Sequence, residues 1–290
     1  MKSPTLSKII AGTMNWGIWD KNLSTPEIES LIQLCIENNI STFDHADIYG
    51  DYTTEAAFGK AFANSKIDRQ KLQLISKCGI QMVVPSRKTT IKHYDYSKKH
   101  ILKSVENSLK NLQTDYLDVL LLHRPSPLMQ TDQIAEAVHK LQSEGKIIDF
   151  GVSNFTTSQT ELLAQSTKIK YNQIQFSATH YQAMTDGSLD YMISKNIVPM
   201  SWNPLGTVFR QDNEQTFRLK KILATLVQKY HYGADTLLLA WIMQHPANII
   251  PVAGTVNISR IQQLQKAATL RLDQEDWFAI WSESMGKNVP

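Results

Sequence analysis

Asp115-Tyr116-Leu117-Asp118-Val119-Leu120-Leu121-Leu122-His123-Arg124-Pro125 decides the fold. The apolar run is too short for a helix and stops at a proline, so it reads as a strand. Helical patterns lie on both sides of it, which predicts a parallel strand covered on both faces. His123 stands where that strand ends. Alone, a histidine there is better explained by a hydrogen bond in a loop. Its meaning depends on what else the chain brings to the same edge.

Upstream, residues 7–13 read as a first strand ending in Gly12-Thr13. Thr25-Pro26-Glu27 then opens a helix, with Thr25 as cap, proline in the first turn and an acid suited to the helix dipole. Ile28, Leu31, Ile32, Cys35 and Ile36 make its buried stripe. Thr42-Phe43 is a short second strand running into Asp44-His45-Ala46-Asp47-Ile48-Tyr49-Gly50. A helix follows over 54–64, and the third strand, 71–76, reaches Lys77. Residues 79–96 show no period and read as a long loop. Ser97 caps a third helix with its stripe at Ile101, Val105, Leu109 and Leu112.

Downstream, Thr131 begins a helix with Ile134, Val138 and Leu141 inward and Gly145 past its end. Strands follow at 146–153, 171–176, 197–202 and 248–253. Ser158-Gln159-Thr160-Glu161 reads as a capping box. The helices between and after these strands fall at 188–195, 217–230, 234–244 and 259–268, and an added one at 274–285. Eight strand–helix units in 290 residues predict a (β/α)8 barrel, one domain spanning 1–290, with an extra C-terminal helix. An open doubly wound sheet usually has fewer strands. If it bound a dinucleotide, it would carry Gly-x-Gly-x-x-Gly after its first strand, and none is present.

The composition is that of an ordinary globular protein, 42% hydrophobic and 20% charged. A net charge of +3 without clustered Lys and Arg gives no basis for nucleic-acid binding. Cys35 and Cys78 form no Cys-x-x-Cys pair, so neither a disulfide framework nor a metal site is expected. Met1 to Thr5 lacks the apolar core of a signal peptide, and the apolar runs fall short of a membrane span. A cytoplasmic location follows as an expectation.

In such a barrel the working face lies at the C-terminal ends of the strands. Asp44 and Tyr49 follow the second strand, Lys77 ends the third and His123 the fourth. Neighbouring strands lie about 4.8 Å apart, so the four side chains can meet. A buried lysine needs an anion, which Asp44 can supply. A lysine cation beside a phenol favours the phenolate, which predicts a Tyr49 pKa lowered from about 10. Each residue also has an ordinary structural reading: Asp44 capping a turn, Tyr49 packing on the rim, Lys77 a solvated strand end.

The chain resembles the aldo-keto reductase superfamily. The resemblance is carried by Gly12-Thr13-Met14, Phe43-Asp44-His45-Ala46-Asp47-Ile48-Tyr49-Gly50 with Glu55, Ile75-Ser76-Lys77, Leu121-Leu122-His123-Arg124-Pro125, Gly151-Val152-Ser153-Asn154-Phe155, Asn172-Gln173-Ile174 and Leu239-Ala240-Trp241. It implies an enzyme that reduces a small-molecule carbonyl with NADPH, through Asp44, Tyr49, Lys77 and His123. It also implies that Gly12, Thr13 and Met14 border the cofactor and that Ser153, Asn154 and Gln173 hold the nicotinamide carboxamide. Trp202, followed by Asn203, would stack on the ring, and Leu205-Gly206-Thr207 would hold the pyrophosphate. Gly254-Thr255-Val256-Asn257 and Arg260 would meet the adenosine 2′-phosphate, with Gln263 near the adenine. Gly254 stands where the family has a lysine, which weakens strict preference for NADPH over NADH. The resemblance favours a monomer. Trp16, Trp19, His93, Tyr94 and Tyr181 lie on loops that could wall the substrate pocket. The family also resembles potassium-channel β-subunits, so a cofactor-binding regulator with little turnover is the alternative. A barrel lyase or isomerase working without nicotinamide is a third reading.

Overall fold

The computed structural model describes residues 3–289; Met1 and Lys2, part of the signal-peptide reading, lie outside them. The elements run β1 (Ile10–Gly12), α1 (Thr25–Glu37), β2 (Thr42–Asp44), α2 (Tyr49–Tyr52), α3 (Thr54–Ser65), β3 (Gln73–Cys78), β4 (Ile80–Gln81), β5 (His93–Tyr94), α4 (Lys98–Leu112) and β6 (Leu117–Leu122). They continue with α5 (Thr131–Ser143), β7 (Ile147–Ser153), α6 (Thr157–Ala164), β8 (Tyr171–Gln175), α7 (Ser188–Ser194) and β9 (Val198–Trp202). The last are α8 (Glu214–Tyr230), α9 (Ala234–Met243), β10 (Ile250–Ala253), α10 (Ile258–Thr269) and α11 (Gln274–Met285). Eight parallel strands close a barrel in the order β1-β2-β3-β6-β7-β8-β9-β10 and back to β1.

Alternation along each strand sorts the core into two layers. Ile10, Ile75, Val119, Leu121, Tyr171, Met200 and Val252 fill the barrel interior as one cluster. Phe43, Leu74, Leu120, Leu122 and Phe150 face outward into the helical layer. On β6 this parity places His123 in line with the inward residues Val119 and Leu121. On β3, Lys77 continues the inward row of Ile75. The interior is therefore apolar up to the level where the ionisable groups begin.

Several local readings need correction. The cap of α1 is Ser24, one residue before Thr25, and it shares a capping box with Glu27 through Ser24 N–H to Oε2 at 2.7 Å. The box at α6 is Thr156 with Gln159, not Ser158 with Glu161. Runs of Ser and Thr offer several chemically equal caps, and the helix start chooses among them. The first strand keeps only Ile10–Gly12, and α8 starts at Glu214 with Asn213 as cap. The 79–96 segment holds a two-stranded antiparallel pair, Ile80 opposite Tyr94 and Gln81 opposite His93. Two-residue strands are too short to show a period.

α11 is fastened to α9 by two tryptophans. Trp241 and Trp277 stack 5.1 Å apart. Each indole N–H donates to the other's carbonyl, at 3.0 and 2.9 Å. Trp241 also stacks on Phe176, at 5.8 Å, and Ser284 Oγ donates to the carbonyl of Ala178.

Candidate active site

Lys77 is the hub of the mouth. Its side chain is 1% exposed. Its ammonium lies 2.7 and 2.8 Å from the two carboxylate oxygens of Asp44. It also donates to the His45 carbonyl at 2.8 Å and to Tyr49 Oη at 3.1 Å. Gln173, on the far side of the barrel, donates from Nε2 to Asp44 Oδ1 at 3.0 Å. His123 stands edge-on to Tyr49, ring centres 6.0 Å apart. The four side chains expected to meet do meet.

Tyr49 is delivered by the backbone of α2. Gly50, Asp51 and Tyr52 have φ of 56, 53 and 72°, so three consecutive left-handed residues turn the chain. For the two non-glycines this is uncommon geometry. Asp51 accepts from the indole N–H of Trp19 at 2.8 Å, and Trp19 stands edge-on to Tyr49 at 6.0 Å. Tyr52 Oη accepts from Met82 N–H at 3.0 Å.

The electrostatics correct one expectation. Burial pushes the Tyr49 phenol up, and Lys77 only partly opposes it, so the pKa lies above the usual phenol value. Withdrawing a phenolate from water outweighs one nearby cation that Asp44 already balances. Burial works against the Lys77 cation, yet Asp44 and Tyr49 together hold its pKa above the usual lysine value. Burial, then Lys77, Arg124 and Lys92, hold His123 well below the usual histidine range, so it is neutral. His45, bonded through Nδ1 to Thr13 Oγ1 at 2.9 Å, is pushed down to about 3 by burial and by Lys77.

Around the rim, Ser153, Asn154, Gln173 and Trp202 come together. Ser153 Oγ donates to the Gln173 carbonyl at 2.9 Å, and Asn154 Nδ2 donates to Ser153 Oγ at 2.7 Å. Trp202 Nε1 donates to Asn154 Oδ1 at 2.8 Å. Trp202 is half-buried, and the Arg124 guanidinium lies over its ring, 5.5 Å from the centre. Gly206, with φ of 56°, sits where a Cβ would come within 2.0 Å of Thr179 Oγ1 and 2.6 Å of Ser177 Oγ. Gly206 N–H closes the turn on the Asn203 carbonyl at 2.9 Å, Val208 N–H bonds the Leu205 carbonyl at 3.4 Å, and Thr207 N–H donates to Thr179 Oγ1 at 3.1 Å. Gly254, Asn257 and Arg260 are exposed and Thr255 and Val256 half-buried at the start of α10, and Gln263 follows on its outer face. A helix N-terminus with a nearby arginine fits an anionic group.

The loop aromatics divide. Trp16 is not a wall of the pocket: it is 1% exposed and packs on Phe43 and Phe58 at 6.2 and 6.1 Å. The turn that bonds Trp16 N–H to the Thr13 carbonyl folds the ring under the barrel rim. Trp19 is at the mouth. His93 and Tyr94 are exposed on β5, Tyr181 is packed partly against the core, and Met14 is exposed on the rim beside buried Gly12 and Thr13. Residues missed from sequence are Asp51, the tie from Gln173 to Asp44, and Arg210, whose guanidinium donates to Asn203 Oδ1 and to the Gly206 carbonyl. The Gly50-Asp51 pair, a common turn signal, could have flagged Asp51.

A parallel eight-stranded barrel with a buried Asp–Lys–Tyr–His set at the C-terminal ends of its strands defines the class as a (β/α)8 barrel with an ionisable cluster at its mouth. The aldo/keto reductase family model matches residues 8–283, and the chain belongs to that family. It is 41% identical over 290 residues to the oxidoreductase YcsN of Bacillus subtilis, covering 98% of this chain and 96% of that one. It is 36% identical over 292 residues to the 6-dehydroglucose reductase of Agrobacterium fabrum, covering 98% and 96%. Among solved structures, an aldo/keto reductase from Klebsiella pneumoniae in complex with NADP and acetate superposes with a TM-score of 0.78 at 25% identity, over 95% of this chain and 90% of that one.

Proposed function

We propose that the chain reduces an aldehyde or ketone carbonyl with NADPH. The observation that carries this reading is the bonding of Tyr49. Its oxygen accepts from Lys77, so its own proton is left to give to another oxygen. Lys77 has three protons, and Asp44, the His45 carbonyl and Tyr49 take all three. Its charge then steadies the phenolate left after transfer. A raised phenol pKa keeps Tyr49 protonated across the neutral range, as a general acid requires. His123, neutral and beside Tyr49, can donate one ring N–H to the substrate oxygen.

Bound NADPH would supply the hydride. Trp202 would stack on the nicotinamide, with Ser153, Asn154 and Gln173 at its carboxamide and Gly12, Thr13 and Met14 beside it. Leu205, Gly206 and Thr207 would hold the pyrophosphate. Thr255, Val256, Asn257, Arg260 and Gln263 would hold the adenosine end, with Gly254 leaving room for NADH. The working unit in this reading is a cytoplasmic monomer of one barrel domain, which gel filtration of the purified chain tests. The activity test is NADPH oxidation against a panel of aldehydes, ketones and quinones, with 6-dehydroglucose included because a relative is named for it. Consumption of NADPH with at least one carbonyl is expected. Binding of NADPH with no turnover on any would overturn the reading and leave a regulator.

A further inference from the structure

We propose that Arg124 anchors an oxyanion on the substrate, so that the preferred substrates are carbonyl compounds that also carry a carboxylate or a phosphate. This rests on the carbonyl-reduction reading above. Arg124 follows His123 at the end of β6, while Trp202 ends β9, three strands further round the barrel. Yet Arg124 Cζ lies 5.5 Å from the centre of a Trp202 ring. The Trp202 indole leans back towards β7, donating to Asn154 at 2.8 Å, so the guanidinium meets its ring at the rim on the His123 side of the mouth.

The root of the side chain is fixed. Tyr96, buried, donates from Oη to the Arg124 carbonyl at 2.5 Å and accepts from its N–H at 3.1 Å. The head is not. Among the described residues the guanidinium of Arg124 has no carboxylate and no hydrogen-bond acceptor. Arg69 shows the contrast: its guanidinium is fully engaged by Asp118 at 2.7 Å, Thr114 and the carbonyls of Leu72 and Tyr116. A structural arginine in this protein looks like Arg69.

The charge around His123 is cationic, while the rim carboxylate Asp51 is bonded to the Trp19 indole. The charged groups acting on His123 are Lys77, Arg124 and Lys92, all cations. Asp44 is the carboxylate acting on Tyr49, and it is already tied to Lys77 and Gln173. An oxyanion entering beside the carbonyl would meet an unbalanced guanidinium with a donor geometry that matches carboxylate and phosphate.

The test uses matched pairs at saturating NADPH: succinic semialdehyde against methyl 4-oxobutanoate, and glyceraldehyde 3-phosphate against glyceraldehyde. In at least one pair kcat/KM should favour the anion by about 10- to 100-fold, and the favoured pair names the oxyanion. Arg124→Gln should raise KM for that substrate by a similar factor with kcat little moved, collapsing the preference, and Arg124→Lys should restore part of it. Equal rates within both pairs overturn the proposal while leaving carbonyl reduction intact. Absence of reduction of every member overturns the proposal, and carbonyl reduction itself falls only if the wider panel of aldehydes, ketones and quinones is also inert. An Arg124→Gln variant that binds NADPH more weakly by fluorescence titration, and loses both members of a pair equally, would assign Arg124 to the cofactor instead. If Arg124→Gln fails to fold, Arg124→Lys carries the comparison, and equal wild-type rates within both pairs still overturn the proposal.

Discussion

The cluster of Asp44, Tyr49, Lys77 and His123 and the loop from Gly254 to Arg260 sit on one barrel mouth and are built in opposite ways. The four side chains of the cluster are all buried, and Lys77 is bonded directly to Asp44 and Tyr49. The loop is largely exposed, and its polar bonds stay within it: Asn257 N–H to Thr255 Oγ1 at 3.2 Å, Ser259 Oγ to Asn257 Oδ1 at 2.7 Å, and Arg260 N–H to Asn257 Oδ1 at 3.1 Å. A buried charged cluster fails when one member leaves, because the others stay in low dielectric unpaired. A self-contained exposed loop can exchange residues without disturbing the barrel. On the proposed function, this would hold the chemistry constant while leaving cofactor choice adjustable.

The sharpest way to break this contrast is Tyr49→Phe. It should lower kcat by about 10²–10⁴-fold and spare NADPH affinity, measured by stopped-flow and by titration. A variant with near wild-type kcat would take Tyr49 out of the mechanism. Asp44→Asn should destabilise the fold by about 3–5 kcal/mol, because it leaves the Lys77 cation unpaired; denaturant melts read this, and a loss below about 1 kcal/mol would mean that water reaches Lys77.

On the loop, Arg260→Met should weaken NADPH binding by roughly 10–150-fold and barely touch NADH. Equal loss for both cofactors would make Arg260 a wall of the adenosine pocket. Gly254→Lys works the other way. A Cβ at Gly254 would meet only Asn15 Nδ2, at 3.7 Å, so the lysine fits and should tighten NADPH relative to NADH by about 10-fold, one charge-assisted contact. The same dissociation constants check it.

The smallest effect is a pH slope. Burial and the cations around it keep His123 neutral in the fold, whereas in the unfolded chain it takes a proton near pH 6.5. Below that value the unfolded state binds more protons, so stability falls with pH. His123→Asn should lose about 1 kcal/mol less than wild type between pH 6.5 and 5.5. Parallel stability–pH curves would show that His123 is protonated in place.

The cluster was legible because strand ends are legible. The apolar run before His123, the strand before Lys77 and the alternation that aims both inward follow from composition and parity alone. The left-handed turn that aims Tyr49 was only partly legible: Gly50-Asp51 is a turn signal, but Tyr52 carries no mark of positive φ. Trp16 and Trp19 look alike in sequence; only the turn after Thr13 separates a core ring from a rim ring. The direction of the Tyr49 shift was misread because burial and charge oppose each other there, and a sequence shows the charge but not the burial. The tie from Gln173 to Asp44 joins residues 129 apart in the chain, so only the closed barrel brings them together.

The tryptophan fastening of α11 gives the added helix a role in the timing of fluctuations. Trp277 packs on Trp241 and Trp241 on Phe176; Ser177 and Thr179, just beyond, cradle Gly206 and Thr207. Packed contacts thus run without a break from the last helix to the loop proposed for the pyrophosphate. Amide protons of α11 exchange with solvent when its contacts open, and the tryptophan pair is one of them beside the bonds to α8 from Gln215, Arg218 and Tyr230. A ligand that quiets the Gly206 loop favours the closed arrangement, so the exchange of α11 should slow when NADPH binds.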